Sequence, residues 1–164
     1  MRYLALAPFL AAVATLAAIS PANARQGEEP ASPLLLVKAS ITTAGPYGES
    51  WYLTLAPDGE ANLQVSYRTN PSGTLLARFS LSEEYVLAVR ETVASEEFFA
   101  LPPELAPSQS LFHQPRLVLD VYLGGGHHTV SLYDPDALKD QPSSNRFLAV
   151  WRRVFEALPY RPSW

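Results

Sequence analysis

Apolar and polar residues alternate with period two through most of residues 34–80. That spacing sends successive side chains to opposite faces of a strand. LLLVKASITT (34–43) is rich in β-branched residues and is closed by Gly45-Pro46, so it reads as a first strand. In ESWYLTLAPDGEANLQVSYR (49–68), Trp51, Leu53 and Leu55 alternate with Tyr52 and Thr54, then Leu63, Val65 and Tyr67 with Gln64 and Ser66. Pro57-Asp58-Gly59 between them joins a preset φ, a turn-capping side chain and a residue tolerant of positive φ. This combination predicts a hairpin. Asn70-Pro71-Ser72-Gly73 is the expected next turn, with TLLARFS (74–80) as a candidate fourth strand.

The period then lengthens. Ser82 stands where an N-cap belongs, Glu83 and Glu84 follow in the first turn, and Leu81 and Val86 occupy the positions of a hydrophobic staple. Val86, Val89 and Val93 form a stripe at helical spacing, which predicts a helix ending near Ser95. Phe98, Phe99 and Leu101 are expected to plug the core beyond it, before Pro102-Pro103. Residues 102–115 (PPELAPSQSLFHQP) carry four prolines and no period, and read as one long loop. A last helix is expected over about 144–158, with Phe147, Val150, Trp151, Val154, Phe155 and Leu158 on one face.

A second hairpin is expected at 116–133, around YLGGGHHTVSLYDPD (122–136). If Leu117, Leu119, Val121 and Leu123 face the core, Val130 and Leu132 join them only when the loop has an even number of residues. Gly124-Gly125 alone, or a four-residue loop over 123–126, satisfies this. The glycines therefore serve a turn, since a phosphate cradle needs a helix after it. That register sets His128 opposite Val121 on the core face. It sets His127 opposite Tyr122, and Asp120 opposite Thr129, on the other face.

These elements imply an α+β fold: a two-layer, antiparallel sheet of five or six strands with two helices on one face. Preceding it, Arg2 and the uncharged, Ala/Leu-rich run at 3–19 lead to Pro21 and Ala22-Asn23-Ala24. That is the pattern of a secretory signal peptide cleaved after Ala24. Residues 25–33 read as a flexible leader, 34–159 as a single domain and 160–164 as a C-terminal tail. The expected destination is the periplasm or the medium.

The chain has no cysteine, so packing alone must hold it together and no thiol chemistry is open to it. Without Arg2, 11 Lys and Arg stand against 16 Asp and Glu, a balance of −5. No stretch concentrates basic residues with aromatics between them, and no basic amphipathic helix suited to a membrane surface is expected. Nucleic acid and, once the signal is removed, a membrane surface are therefore not expected as partners.

Candidate chemistry is sparse. His127 and His128 point to opposite faces of one strand, and zinc would need further ligands, so no metal site is expected. Asp134, Asp136 and Asp140 lack the glycine and late glutamate of a calcium loop, and read as turn or helix-capping residues. Asp120, Tyr122 and His127 form a candidate polar cluster in which a carboxylate orients an imidazole. The alternative is ordinary cross-strand pairing. No nucleophile motif accompanies the cluster, so no catalytic residue, no cofactor and no enzyme is expected.

In the proline-rich loop, Leu111, Phe112 and His113 are candidate partner contacts. The ordinary expectation for such apolar side chains is burial, tacking the loop onto the core. The order of parts resembles emfourin-type inhibitors of metallopeptidases over roughly residues 51–158. It consists of a hairpin, a helix ending in Phe98-Phe99-Ala100-Leu101, a Pro-rich loop, a strand, a Gly-rich turn, a strand with His128-Thr129-Val130, and an amphipathic helix. The resemblance implies a non-enzymatic binding module with a peptidase as partner. A structural subunit of an envelope complex, or a small enzyme using Asp120, Tyr122 and His127, are the other expectations.

Overall fold

A computed structural model describes residues 34–43, 48–109 and 112–159, with the backbone alone at 70–72. The expected signal peptide, leader and C-terminal tail lie outside these residues, as does Leu111. Among the described residues no helix is long and apolar enough to cross a membrane.

The strands are β1 (Leu35–Thr42), β2 (Glu49–Leu55), β3 (Glu60–Tyr67), β4 (Asn70–Ser80), β5 (Glu104–Leu105), β6 (Arg116–Leu123) and β7 (Gly126–Tyr133). They form one sheet in the order β4-β3-β2-β1-β6-β7-β5, so β1 is central, with three strands on either side. The register explains why. Val37 lies opposite Leu55 on one side and Val121 on the other, Ala39 opposite Leu53 and Leu119, and Ile41 opposite Trp51 and Leu117. Apolar rows thus run unbroken across β2, β1 and β6 on one face. Each wholly buried leucine or valine in them contributes roughly 1.5–3 kcal/mol of transfer free energy.

The helices α1 (Glu83–Ser95) and α2 (Pro142–Phe155) close this face. Val86, Val89 and Val93 from α1, and Phe147, Leu148, Val150, Trp151, Val154 and Phe155 from α2, belong to the same buried cluster as the sheet rows. The Ser82 hydroxyl accepts from the Tyr85 amide (3.2 Å), the expected N-cap. The helices run antiparallel and are tied at both ends. At one end the Tyr85 hydroxyl donates to the Arg153 carbonyl. At the other, Arg146 donates to the carbonyls of Glu96 (2.6 Å) and Glu97 (2.9 Å).

Several expectations need correction. The sheet has seven strands and is mixed, because β5 pairs parallel with β7 inside what reads as loop. A two-residue strand has no periodicity to detect. It forms because the Ser131 amide reaches the Pro103 carbonyl (2.9 Å) and Leu105 is buried. Asn70-Pro71-Ser72-Gly73 is strand rather than turn: the chain reverses at Arg68-Thr69, with Tyr67 opposite Asn70. Pro71 is tolerated there because β4 is an edge strand, where a missing N–H breaks no ladder. Helix α2 begins at Pro142, whose fixed φ and absent N–H suit the first turn. Phe98 and Leu101 are buried as expected, but Phe99 is 40 % exposed.

Candidate functional site

The second hairpin takes the two-residue form. Leu123 pairs with Gly126, and Gly124 and Gly125 both have positive φ (58° and 83°), as a primed turn requires. This fixes Asp120 opposite Thr129, Val121 opposite His128, and Tyr122 opposite His127. The two histidines part company. His128, on the core face, donates from Nε2 to the Leu101 carbonyl (2.8 Å) and meets the rings of Phe98 and Phe99, fixing the plug after α1 to β7.

His127, on the uncovered face, gathers the expected cluster. Its Nε2 donates to Asp120 Oδ1 (2.5 Å), which also accepts from Thr129 Oγ1 (2.8 Å). The imidazole stacks on Tyr122, with ring centroids 4.1 Å apart and planes 9° from parallel. The Lys38 Nζ lies 5.3 Å from the centre of the Tyr122 ring. Burial works to raise the Asp120 pKa. Hydrogen bonds from Thr129 and His127, the imidazole's charge and the Tyr122 side chain outweigh it, so the carboxyl titrates below its ordinary value. Thr129, expected opposite Asp120, joins the cluster, and so does Lys38, which was not foreseen. The signal for both lay in the register, which puts Thr129 and Lys38 on either side of Asp120. The group can hold an oriented imidazole beside an ionised carboxylate at an open surface, where His127 is 49 % and Asp120 21 % exposed.

The proline-rich loop is built differently. Its entry is held by β5, with Ser131 donating to Pro103 (2.9 Å). Its exit is held twice: the Gln114 amide donates to the Tyr133 hydroxyl (3.4 Å), and the Asp134 amide to the Pro115 carbonyl (3.1 Å). Between these anchors Phe112 is 91 % exposed, and His113 is exposed with a φ of 71°. Burial, the ordinary expectation for a phenylalanine, does not hold for Phe112. Asp120 lies four residues along β6 from Arg116, roughly 13 Å at strand rise. The loop and the polar cluster are therefore separate places.

Asp134 is a turn residue, as expected: buried, with a φ of 55° and its Oδ1 accepting from the Ala137 amide (3.3 Å). The cap position of α2 is taken by Gln141, so none of the three aspartates caps that helix. Among the described residues no group of three or more potential metal ligands comes together. A groove of about 830 Å3 between α1 and α2 was not foreseen. Small side chains (Ala88, Ser95, Ala149) leave it open, and Glu91, Arg152 and Glu156 rim it. No family model matches the chain, and no curated protein matches it.

Proposed function

We propose that this chain is an exported, non-enzymatic binding module of the periplasm or the medium, with a peptidase as its partner, and that the loop at 102–115 makes the contact. The observation that carries this is Phe112, held 91 % exposed on a loop whose entry and exit are both hydrogen-bonded to the β7 region. An exposed aromatic at a loop tip offers a partner a large, rigid apolar surface to cover. Anchoring both ends of the loop lowers the ordering cost on binding, and a rigid aromatic is the side-chain type that dominates interface energetics. His113 beside it adds a polar group to the same tip. The choice of a peptidase rests on the resemblance in the order of parts, from the Phe98-Phe99-Ala100-Leu101 plug to the final helix.

The test is to immobilise residues 25–164, capture secreted and envelope proteins of the same organism, and titrate each captured peptidase with the domain. Activity that falls with saturable stoichiometry supports inhibition. Capture of non-peptidase envelope proteins moves the proposal to a structural subunit of an envelope complex. Capture of nothing overturns the binding module.

A second proposal, a small enzyme, is favoured by one geometric fact: Asp120, Tyr122 and His127 do come together, with the carboxylate orienting the ring. It predicts a turnover that His127→Ala abolishes while stability is kept. A His127→Ala variant that only loses stability would remove it.

A further inference from the structure

The two ends of the sheet are built unlike each other. At one end the two residues of β5 cover Ser131 and Leu132 of β7, and the plug after α1 packs beside the same strand at His128. At the other end β4 runs for 11 residues and is paired on one side only, with β3. The devices that keep an edge strand from pairing are thin along it. Pro71 and Gly73 stand near its start, and the register shift against β3 lies between Val65 and Tyr67. From 74 to 80 there is no proline and no glycine, and Arg78 is the single charge. Its guanidinium turns back over the sheet, donating to Asn62 Oδ1 (3.0 Å) and lying 3.8 Å from Glu60 Oε2. Apolar groups flank this edge on both faces: Leu76 is 72 % exposed on one, and Leu75 and Phe79 are only partly buried on the other.

We propose that this edge is a self-association surface, on which β4 pairs antiparallel with β4 of a second copy about a two-fold axis through Leu76. This goes beyond the binding proposed for the loop, which sits elsewhere in the chain. A two-fold pairing keeps the apolar face continuous only if residues of the same face stand opposite one another, so the axis must pass through a residue. Through Leu76, it sets Leu76 beside Leu76, Leu75 beside Ala77, Thr74 beside Arg78, and Gly73 beside Phe79. The most exposed leucine of the strand then finds an apolar partner, and no like charges meet. Through Arg78, the axis would set two guanidinium groups against each other, which is destabilising. Through Ala77, it would leave Leu76 opposite Arg78. The strand is thus its own complement, and a second copy fits it better than a peptide of arbitrary sequence.

The absence of cysteine makes the register directly testable. In Leu76→Cys the two new Cβ atoms would stand about 4.5–5.5 Å apart, close to the range a disulfide bridges. In Thr74→Cys the two thiols would be four residues apart along the strand, roughly 13 Å, and out of reach. The expected result is that residues 25–164 sediment at twice the chain mass at tens of micromolar. Leu76→Cys should then cross-link on mild oxidation, while Thr74→Cys should not. Leu76→Lys, at a site already exposed, should give a monomer with an unchanged circular dichroism spectrum. A wild-type chain of monomer mass over the whole concentration range overturns the proposal. So does a dimer that Leu76→Lys leaves intact, or cross-linking of Thr74→Cys as readily as of Leu76→Cys.

Discussion

Gly59 shows how much a single position decides. Its φ is +85°, and a Cβ placed there would lie 2.2 Å from the Leu81 carbonyl oxygen, a backbone atom that cannot swing aside. The Leu81 amide also donates to the Gly59 carbonyl (2.9 Å), so the β2–β3 turn is clasped to the residue before the N-cap of α1. Gly59→Ala should therefore cost about 2–4 kcal/mol in urea unfolding, combining left-handed strain with a forced backbone shift. A loss below about 0.5 kcal/mol would mean that the turn moves freely. The glycine itself was legible from Pro57-Asp58-Gly59, but its contact with Leu81 was not, because local turn chemistry says nothing about what packs on the turn.

Asp120 decides a pH dependence. Its folded pKa is lowered, so its stabilising contribution is present above the unfolded carboxyl pKa and is lost as pH falls through the folded one. Asp120→Asn should be less stable than wild type by about 0.5–1 kcal/mol at pH 7, the range for a partly exposed pair. The gap should narrow as pH falls below the ordinary aspartate pKa near 3.9 and close only once the lowered folded pKa is passed. Unfolding midpoints measured from pH 2 to 7 would show this convergence. Parallel curves for the two proteins would contradict it.

At the scale of elements, Arg146 makes the tie between the C-terminal end of α1 and the start of α2. Helix α1 has no basic residue in its last turn, so the charge that favours its C-terminus comes from α2. Arg146 donates to the Glu96 and Glu97 carbonyls and to the Glu97 carboxylate (3.0 Å). Arg146→Ala should cost about 1–2 kcal/mol, less than a fully buried charged hydrogen bond because the group is partly exposed. Arg146→Lys should recover only part of it, since an ammonium cannot fork over two carbonyls. Thermal melts of the two variants test this; equal melting temperatures for Lys and Ala would leave the fork without a role.

Elements were legible where periodicity and turn chemistry agreed. The 116–133 register follows from the parity of its apolar positions, and it correctly separated His127 from His128. Asn70-Pro71-Ser72-Gly73 misled because strong turn formers are tolerated on an edge strand, and edge status is set by the whole sheet. Strand β5 was invisible because two residues show no period; backbone pairing and the burial of Leu105 make it.

At the scale of the whole molecule, β1 sits at the centre with three strands on either side, and helices cover one face of the sheet. The proline-rich loop hangs from the edge where β5 and β7 meet, leaving Phe112 outside the core. Its position was legible as an aperiodic, proline-rich stretch. Which side chain would stay in water was not, since without a period no residue is assigned a face.

The central claim is that Phe112 serves a partner and not the fold. The most direct measurement compares Phe112→Ser with wild type for thermal stability and for affinity toward the peptidase captured by residues 25–164. A melting temperature within about 2 °C of wild type, with affinity reduced at least about tenfold, is the predicted result for an exposed interface anchor. A variant that melts several degrees lower yet binds as tightly would contradict it and return Phe112 to the core.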